Sequence, residues 1–175
     1  MKTWEKLGVK LEICKGFLEM DFITPSKIQS IAFPLIMKEP RLNIVSWKTC
    51  PLGLGIISSI DEKYKNIQAV VFAHNRELVK QIKDVLSKIA KFTDVKVTAL
   101  LNGENEPNEI RQIIVITSGH FDNCFLKRNK CLINNLKMVV LDEADYMLTN
   151  EVTSRVLAQL LSYFKKENEN TSIIF

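Results

Sequence analysis

The chain has 175 residues, 46% hydrophobic and 25% charged, which suits one soluble globular domain with a real core. Its net charge of +4 permits a nucleic-acid partner, although lysine-rich helix faces give the same balance as plain solvated surface. Cys14, Cys50, Cys124 and Cys131 have neither CxxC spacing nor a histidine at a metal-site interval, so free intracellular thiols fit better than a disulfide or a zinc site. Residues 1–17 are interrupted by Lys2, Glu5, Lys6, Lys10, Glu12 and Lys15, and no apolar run approaches the ~20 residues of a membrane span. A cytosolic or nuclear protein is expected.

Two helices open the chain, over 11–20 and 26–37. Thr24-Pro25-Ser26 between them reads as an N-cap followed by proline in the first turn. A first strand is expected at 43–47 and a second at 69–72. The clearest helix follows at 76–92, where Leu78, Ile82, Val85, Leu86, Ile89 and Phe92 share one face among lysines. Strands are then expected at 96–101, 113–117 and 138–141, with a polar loop at 102–108. A helix over 152–164 places Val152, Val156, Leu160 and Phe164 in register, a polar loop covers 165–170, and a last strand covers 171–175. The strands are nearly all apolar, as in a parallel sheet covered on both faces, so the fold class is α/β with a mostly parallel central sheet. No internal repeat or low-complexity linker interrupts this order. The apolar run at 171–175 ends without a turn or polar tail, which implies a piece of a longer chain.

Leu141-Asp142-Glu143-Ala144-Asp145 follows an expected strand. An apolar strand ending in Asp-Glu is the Walker B arrangement, with Asp142 placed to reach the Mg²⁺ of a nucleotide and Glu143 to polarise an attacking water. Acidic pairs after strands also occur as solvated turns. Four further segments precede it in order: Phe22-Ile23-Thr24-Pro25-Ser26-Lys27-Ile28-Gln29, Ala73-His74-Asn75-Arg76-Glu77-Leu78, Asn102-Gly103 and Thr117-Ser118-Gly119-His120. The series resembles the first RecA-like domain of DEAD-box RNA helicases, in the order of that family's motifs and over essentially the whole chain. Residues 1–40 would form the Q-motif region and 41–175 the core.

The resemblance implies that Phe22 stacks on adenine and that the Gln29 amide reads the adenine edge. Read without it, the same segment is a capped helix with a core phenylalanine and a polar glutamine. The resemblance also implies RNA contacts from Asn75, Arg76, Gly103, Thr117 and Gly119, made to phosphates and sugars rather than bases. Two departures weaken this set: the family prefers Pro-Thr where His74-Asn75 stand, and His120 takes the place of an always-charged arginine. Pro25-Ser26-Lys27-Ile28-Gln29, Pro34-Leu35 and Glu39-Pro40 before Asn43-Ile44-Val45 are similar to the mRNA-export subfamily that works at the nuclear pore.

The phosphate-binding loop breaks the pattern. A P-loop runs Gly-x-Gly-Lys-Thr, whereas this chain gives Cys50-Pro51-Leu52-Gly53-Leu54-Gly55. Only Gly53 survives. Pro51 removes a possible donor, Leu54 puts an apolar chain where a cation should neutralise phosphate, and Gly55 cannot ligate a metal. Lys48-Thr49 stands six positions too early to replace the lost pair and has no glycine-rich loop ahead of it.

Two functions follow from the resemblance. One is the N-terminal domain of an ATP- and Mg-dependent RNA helicase that hydrolyses nucleotide by a divergent loop, using Phe22, Gln29, Asp142 and Glu143. The other is a nucleotide-independent RNA- or protein-binding module that keeps only the fold. The expected partners are single-stranded RNA, a second RecA-like domain, and a nuclear-pore protein on the opposite face.

Overall fold

The computed structural model describes residues 3–38, 49–103, 112–127, 133–167 and 172–174. The strand expected at 43–47 and most of the loop expected at 102–108 lie outside the described residues. A 3-10 turn at Glu5–Leu7 leads into α1 (Leu11–Glu19), α2 (Lys27–Lys38) and α3 (Thr49–Ser59). Then come β1 (Ala69–Phe72), α4 (Arg76–Ile89), β2 (Val97–Leu100) and β3 (Ile113–Ile116). The short α5 (Ser118–Phe121) runs into a π-helical turn (Asp122–Leu126), followed by β4 (Met138–Leu141), α6 (Ala144–Leu148), α7 (Glu151–Glu167) and β5 (Ser172–Ile174).

The five strands form one sheet in the order β2-β3-β1-β4-β5, and every described pairing is parallel. β1 lies at the centre, with Ala69 opposite Ile113 on one side and Met138 on the other. Side chains alternate faces along a strand, and the apolar runs divide accordingly. Ala69, Val71, Ile113, Val115, Met138 and Val140 join a core with α1 to α4. Val70, Phe72, Ile114, Ile116, Val139 and Leu141 join a second core with α5, the π-helical turn and α7. Both layers are therefore covered, as the continuous apolar strands require.

Local chemistry moves several boundaries. Ser26 rather than Thr24 caps α2, because Gln29 completes a reciprocal capping box. Ser26 N–H donates to Gln29 Oε1 at 2.7 Å, and Gln29 N–H donates to Ser26 Oγ at 3.2 Å. α4 stops at Ile89, where the chain turns and Thr93 Oγ1 donates to Ala90 O; Phe92 falls outside the helix face and is 41% exposed. α7 starts one residue earlier than expected, with Asn150 Oδ1 accepting from Val152 N–H at 2.9 Å, and extends through residues 165–167, which the polar pattern had assigned to a loop. Val152 is exposed, while Val156 and Leu160 carry the buried face.

The largest departure is α3. Thr49 to Ser59 form one continuous helix that includes Pro51, Gly53, Leu54 and Gly55. Pro51 sits in its first turn, where a missing N–H is tolerated. Leu54 is 0% exposed and belongs to the first core. A Cβ on Gly53 would lie 2.9 Å from side chains of Leu86 and Ile89, and one on Gly55 would lie 2.9 Å from Ile36. The two glycines are the close-approach points of α3 on α4 and α2.

Candidate nucleic-acid interface and nucleotide site

Because the sheet is parallel, the segments after β1, β2, β3 and β4 all emerge at one edge. Open α/β sheets bind ligands outside that carboxyl edge, where the chain order switches direction. Here consecutive connections run from β1 out to β2, back to β3, and across β1 to β4. His74, Asn75, Arg76, Gly103, Thr117, Gly119, Asp142 and Glu143 stand at this edge as residues that follow the strands.

An open groove of about 540 Å³ is lined by His74, Asn75, Arg76, Thr117, Ser118, Gly119, Asn150 and Val152. Four of the five residues expected to touch RNA thus share one surface. Gly103, the fifth, is outside the lining and holds a left-handed turn after β2 at φ 83°, where glycine is the ordinary choice. Asn75 caps α4, its Oδ1 accepting from Leu78 N–H at 2.8 Å. The first amides of α4 and the exposed Arg76 therefore stand beside the groove, a favourable setting for a phosphate. On the far wall, Ser118 Oγ lies 2.8 Å from Thr153 Oγ1 and ties the α5 turn to α7. Asn150 and Val152 reach the groove through that tie. Asn150 lies between α6 and α7 and Val152 in the first turn of α7, positions that give no sign of it in the sequence.

The acidic motif lies one strand away. Asp142 N–H donates to Phe72 O at 3.0 Å, which carries the β1–β4 ladder up to the carboxyl edge. Asp142 is half-buried; burial first, and then the neighbouring Glu143, push its carboxyl above the ordinary range, with His74 opposing them. Glu143 turns the chain from β4 into α6 in a left-handed conformation, φ 54° and ψ 54°, a costly one for a residue with a Cβ. His74 Nδ1 is 3.1 Å from Glu143 Oε2, a close approach whose direction misses hydrogen-bond alignment. The imidazole also packs on Tyr146, ring centroids 4.8 Å apart. No group of three or more metal-ligating side chains occurs among the described residues.

The adenine end of the expected nucleotide site differs from its phosphate end. Phe22 is 37% exposed, edge-on to Phe17 at 6.1 Å, and its carbonyl accepts from Trp4 Nε1 at 2.8 Å. Gln29 is buried with its Oε1 taken by the capping box. The ring of Phe22 is partly exposed and the Gln29 amide is anchored, and these are the two side chains that the resemblance assigns to adenine. At the phosphate end, α3 begins at Thr49, Leu54 is buried in the first core and Gly53 packs on α4, while the residues that lead into α3 lie outside the described residues.

A family model described as DEAD/DEAH box helicase matches residues 26–175. The chain belongs to the DEAD/DEAH box helicase family. It is 35% identical to the ATP-dependent RNA helicase dbp5 of Schizosaccharomyces pombe over 160 residues, 86% of this chain and 31% of that protein. Saccharomyces cerevisiae Dbp5 bound to RNA and ADP BeF3 matches with a TM-score of 0.84 at 28% identity, covering 99% of this chain and 46% of that one. A Dbp5 variant from the same yeast, bound to Nup159, a Gle1 variant, IP6 and ADP, matches with a TM-score of 0.81 at 29% identity over 95% of this chain and 46% of that one. This DEAD/DEAH box domain thus has the RecA-like α/β fold, and it spans about a third of the curated relative's length. No helix among its described residues is long and apolar enough to cross a membrane.

Proposed function

We propose that the chain is the N-terminal RecA-like domain of an ATP-dependent RNA helicase of the Dbp5 type, and that this domain binds single-stranded RNA without hydrolysing nucleotide. The groove carries the RNA half of the reading: Asn75, Arg76, Thr117 and Gly119 line one open surface at the sheet's carboxyl edge. A helix start and an arginine there suit phosphates. Dbp5 bound to RNA is the solved relative that motivates this substrate. Buried Leu54 supports the loss of chemistry, because phosphoryl transfer depends on charge neutralisation that an apolar side chain in the core does not supply.

In the full-length protein a second RecA-like domain would complete the family's clamp. The relative bound to Nup159 and Gle1 motivates a nuclear-pore protein as a further partner, with a cytoplasmic or nuclear-pore location and a role in mRNA export. A second reading is favoured by one observation: Phe22 keeps an exposed face beside Gln29's segment, so an adenine nucleotide could still be held at that end. Calorimetric titration with Mg-ATP and, in parallel, Mg-ADP separates the two. No heat at millimolar nucleotide from a folded sample supports the binding module. Single-site heat that disappears in Phe22→Ala and Gln29→Ala returns the nucleotide-dependent enzyme to the lead.

A further inference from the structure

The loop after β1 connects the acidic motif to the groove through a chain of polar atoms. Asn75 Oδ1 accepts from Leu78 N–H at 2.8 Å, which fixes the amide and leaves Nδ2 facing His74 Nε2 at 2.9 Å. An amide nitrogen only donates, so Nε2 is the acceptor and the proton of a neutral imidazole sits on Nδ1. That atom faces Glu143 Oε2 at 3.1 Å. The Glu143 side chain is 55% exposed, and the two atoms stand within hydrogen-bond distance but out of alignment. Tyr146, three residues further on, packs on the imidazole and limits its swing.

We infer that Glu143 is a positioning residue for the RNA groove, holding Asn75 in place through His74, and not a group kept for activating water. The inference rests on the RNA-groove reading above. It also gives the left-handed backbone at Glu143 a use, since the same turn brings its carboxyl over the end of β1. Histidine stands where the family prefers proline, so this link is a property of this chain. Water activation requires a bound nucleotide; the link requires none.

The test combines affinity with tautomer. Fluorescently labelled single-stranded RNA is titrated with the chain at low salt, without nucleotide. Glu143→Ala is expected to weaken binding about two- to tenfold, the scale of one net hydrogen bond. Glu143→Gln, whose Oε1 still accepts from Nδ1–H, is expected to recover most of that loss, which a role of the negative charge alone would not allow. His74→Ala is expected to weaken binding similarly, and adding Glu143→Ala to it should cause no further loss. Nitrogen-15 spectra of the two imidazoles, told apart with His120→Gln, should show the Nδ1–H tautomer at His74. An Nε2–H tautomer there overturns the link whatever RNA does. Equal RNA affinities across all variants, with the wild-type chain binding, overturn the link alone. Failure of the wild-type chain to bind RNA overturns the groove reading and the link with it.

Discussion

Placing a lysine at position 54, where the resemblance aligns the family's lysine, should unfold the domain rather than revive an ATPase. Leu54 is 0% exposed within a core shared with Ile36, Leu86 and Ile89. A lysine there must either bury an ammonium or lose its proton. Holding a lysine with an ordinary pKa of ~10.4 neutral near pH 7 costs about 4.6 kcal/mol, at about 1.36 kcal/mol per unit. Truncation to alanine costs about 2–5 kcal/mol by lost burial and cavity formation. Either figure is a large share of the roughly 5–15 kcal/mol that holds a domain together. Adding Gly55→Thr makes matters worse, because its Cβ would stand 2.9 Å from Ile36. Urea unfolding of Leu54→Lys at about pH 7 and pH 10 tests this. The unfolded lysine binds a proton that the folded one lacks, so the variant's deficit should shrink by about 1.4 kcal/mol per unit as pH rises towards ~10.4. A variant as stable as wild type, with no such recovery, would show that residue 54 faces solvent or a phosphate site and would refute the reasoning.

Two other predictions concern the same scaffold. A Cβ on Gly16 would collide with the backbone carbonyl of Ile89, so Gly16→Ala should separate α1 from α4 and cost about 1–3 kcal/mol, read by urea unfolding. The raised carboxyl of Asp142 makes its contribution to stability largest when protonated, below the ordinary carboxylate range, and lost as pH rises through the folded value. Asp142→Asn should therefore raise the melting temperature near neutral pH, and the gain should vanish in acid; a gain that persists in acid contradicts burial as the cause.

The sheet was legible because a strand covered on both faces needs unbroken β-branched and apolar residues. β1 and β4 fall where those runs predict, β2 and β3 are trimmed by a residue at their ends, and β5 lies within the run expected for it. Helix ends were less legible, since Ser26, Asn150 and Thr93 decide them through single hydrogen bonds. α3 was illegible. Gly53 and Gly55 read locally as loop residues, and only Leu86, Ile89 and Ile36, distant in sequence, show that they make room for helix packing. The groove was half legible: Asn75, Arg76, Thr117 and Gly119 follow strands in family order, whereas Asn150 and Val152 enter through the Ser118–Thr153 contact. His74 was visible only as a departure from the family's preference, and its reach to Glu143 depends on β1 and β4 being neighbours.

The central claim, RNA binding by the groove without nucleotide, is tested most directly by titrating labelled single-stranded RNA across a salt series with and without Mg-ATP. The account predicts binding at low salt whose logarithmic slope is about −0.7 per phosphate contacted, unchanged by Mg-ATP and weakened by Arg76→Ala. Absence of binding at low salt, or binding that appears only with Mg-ATP, would contradict it.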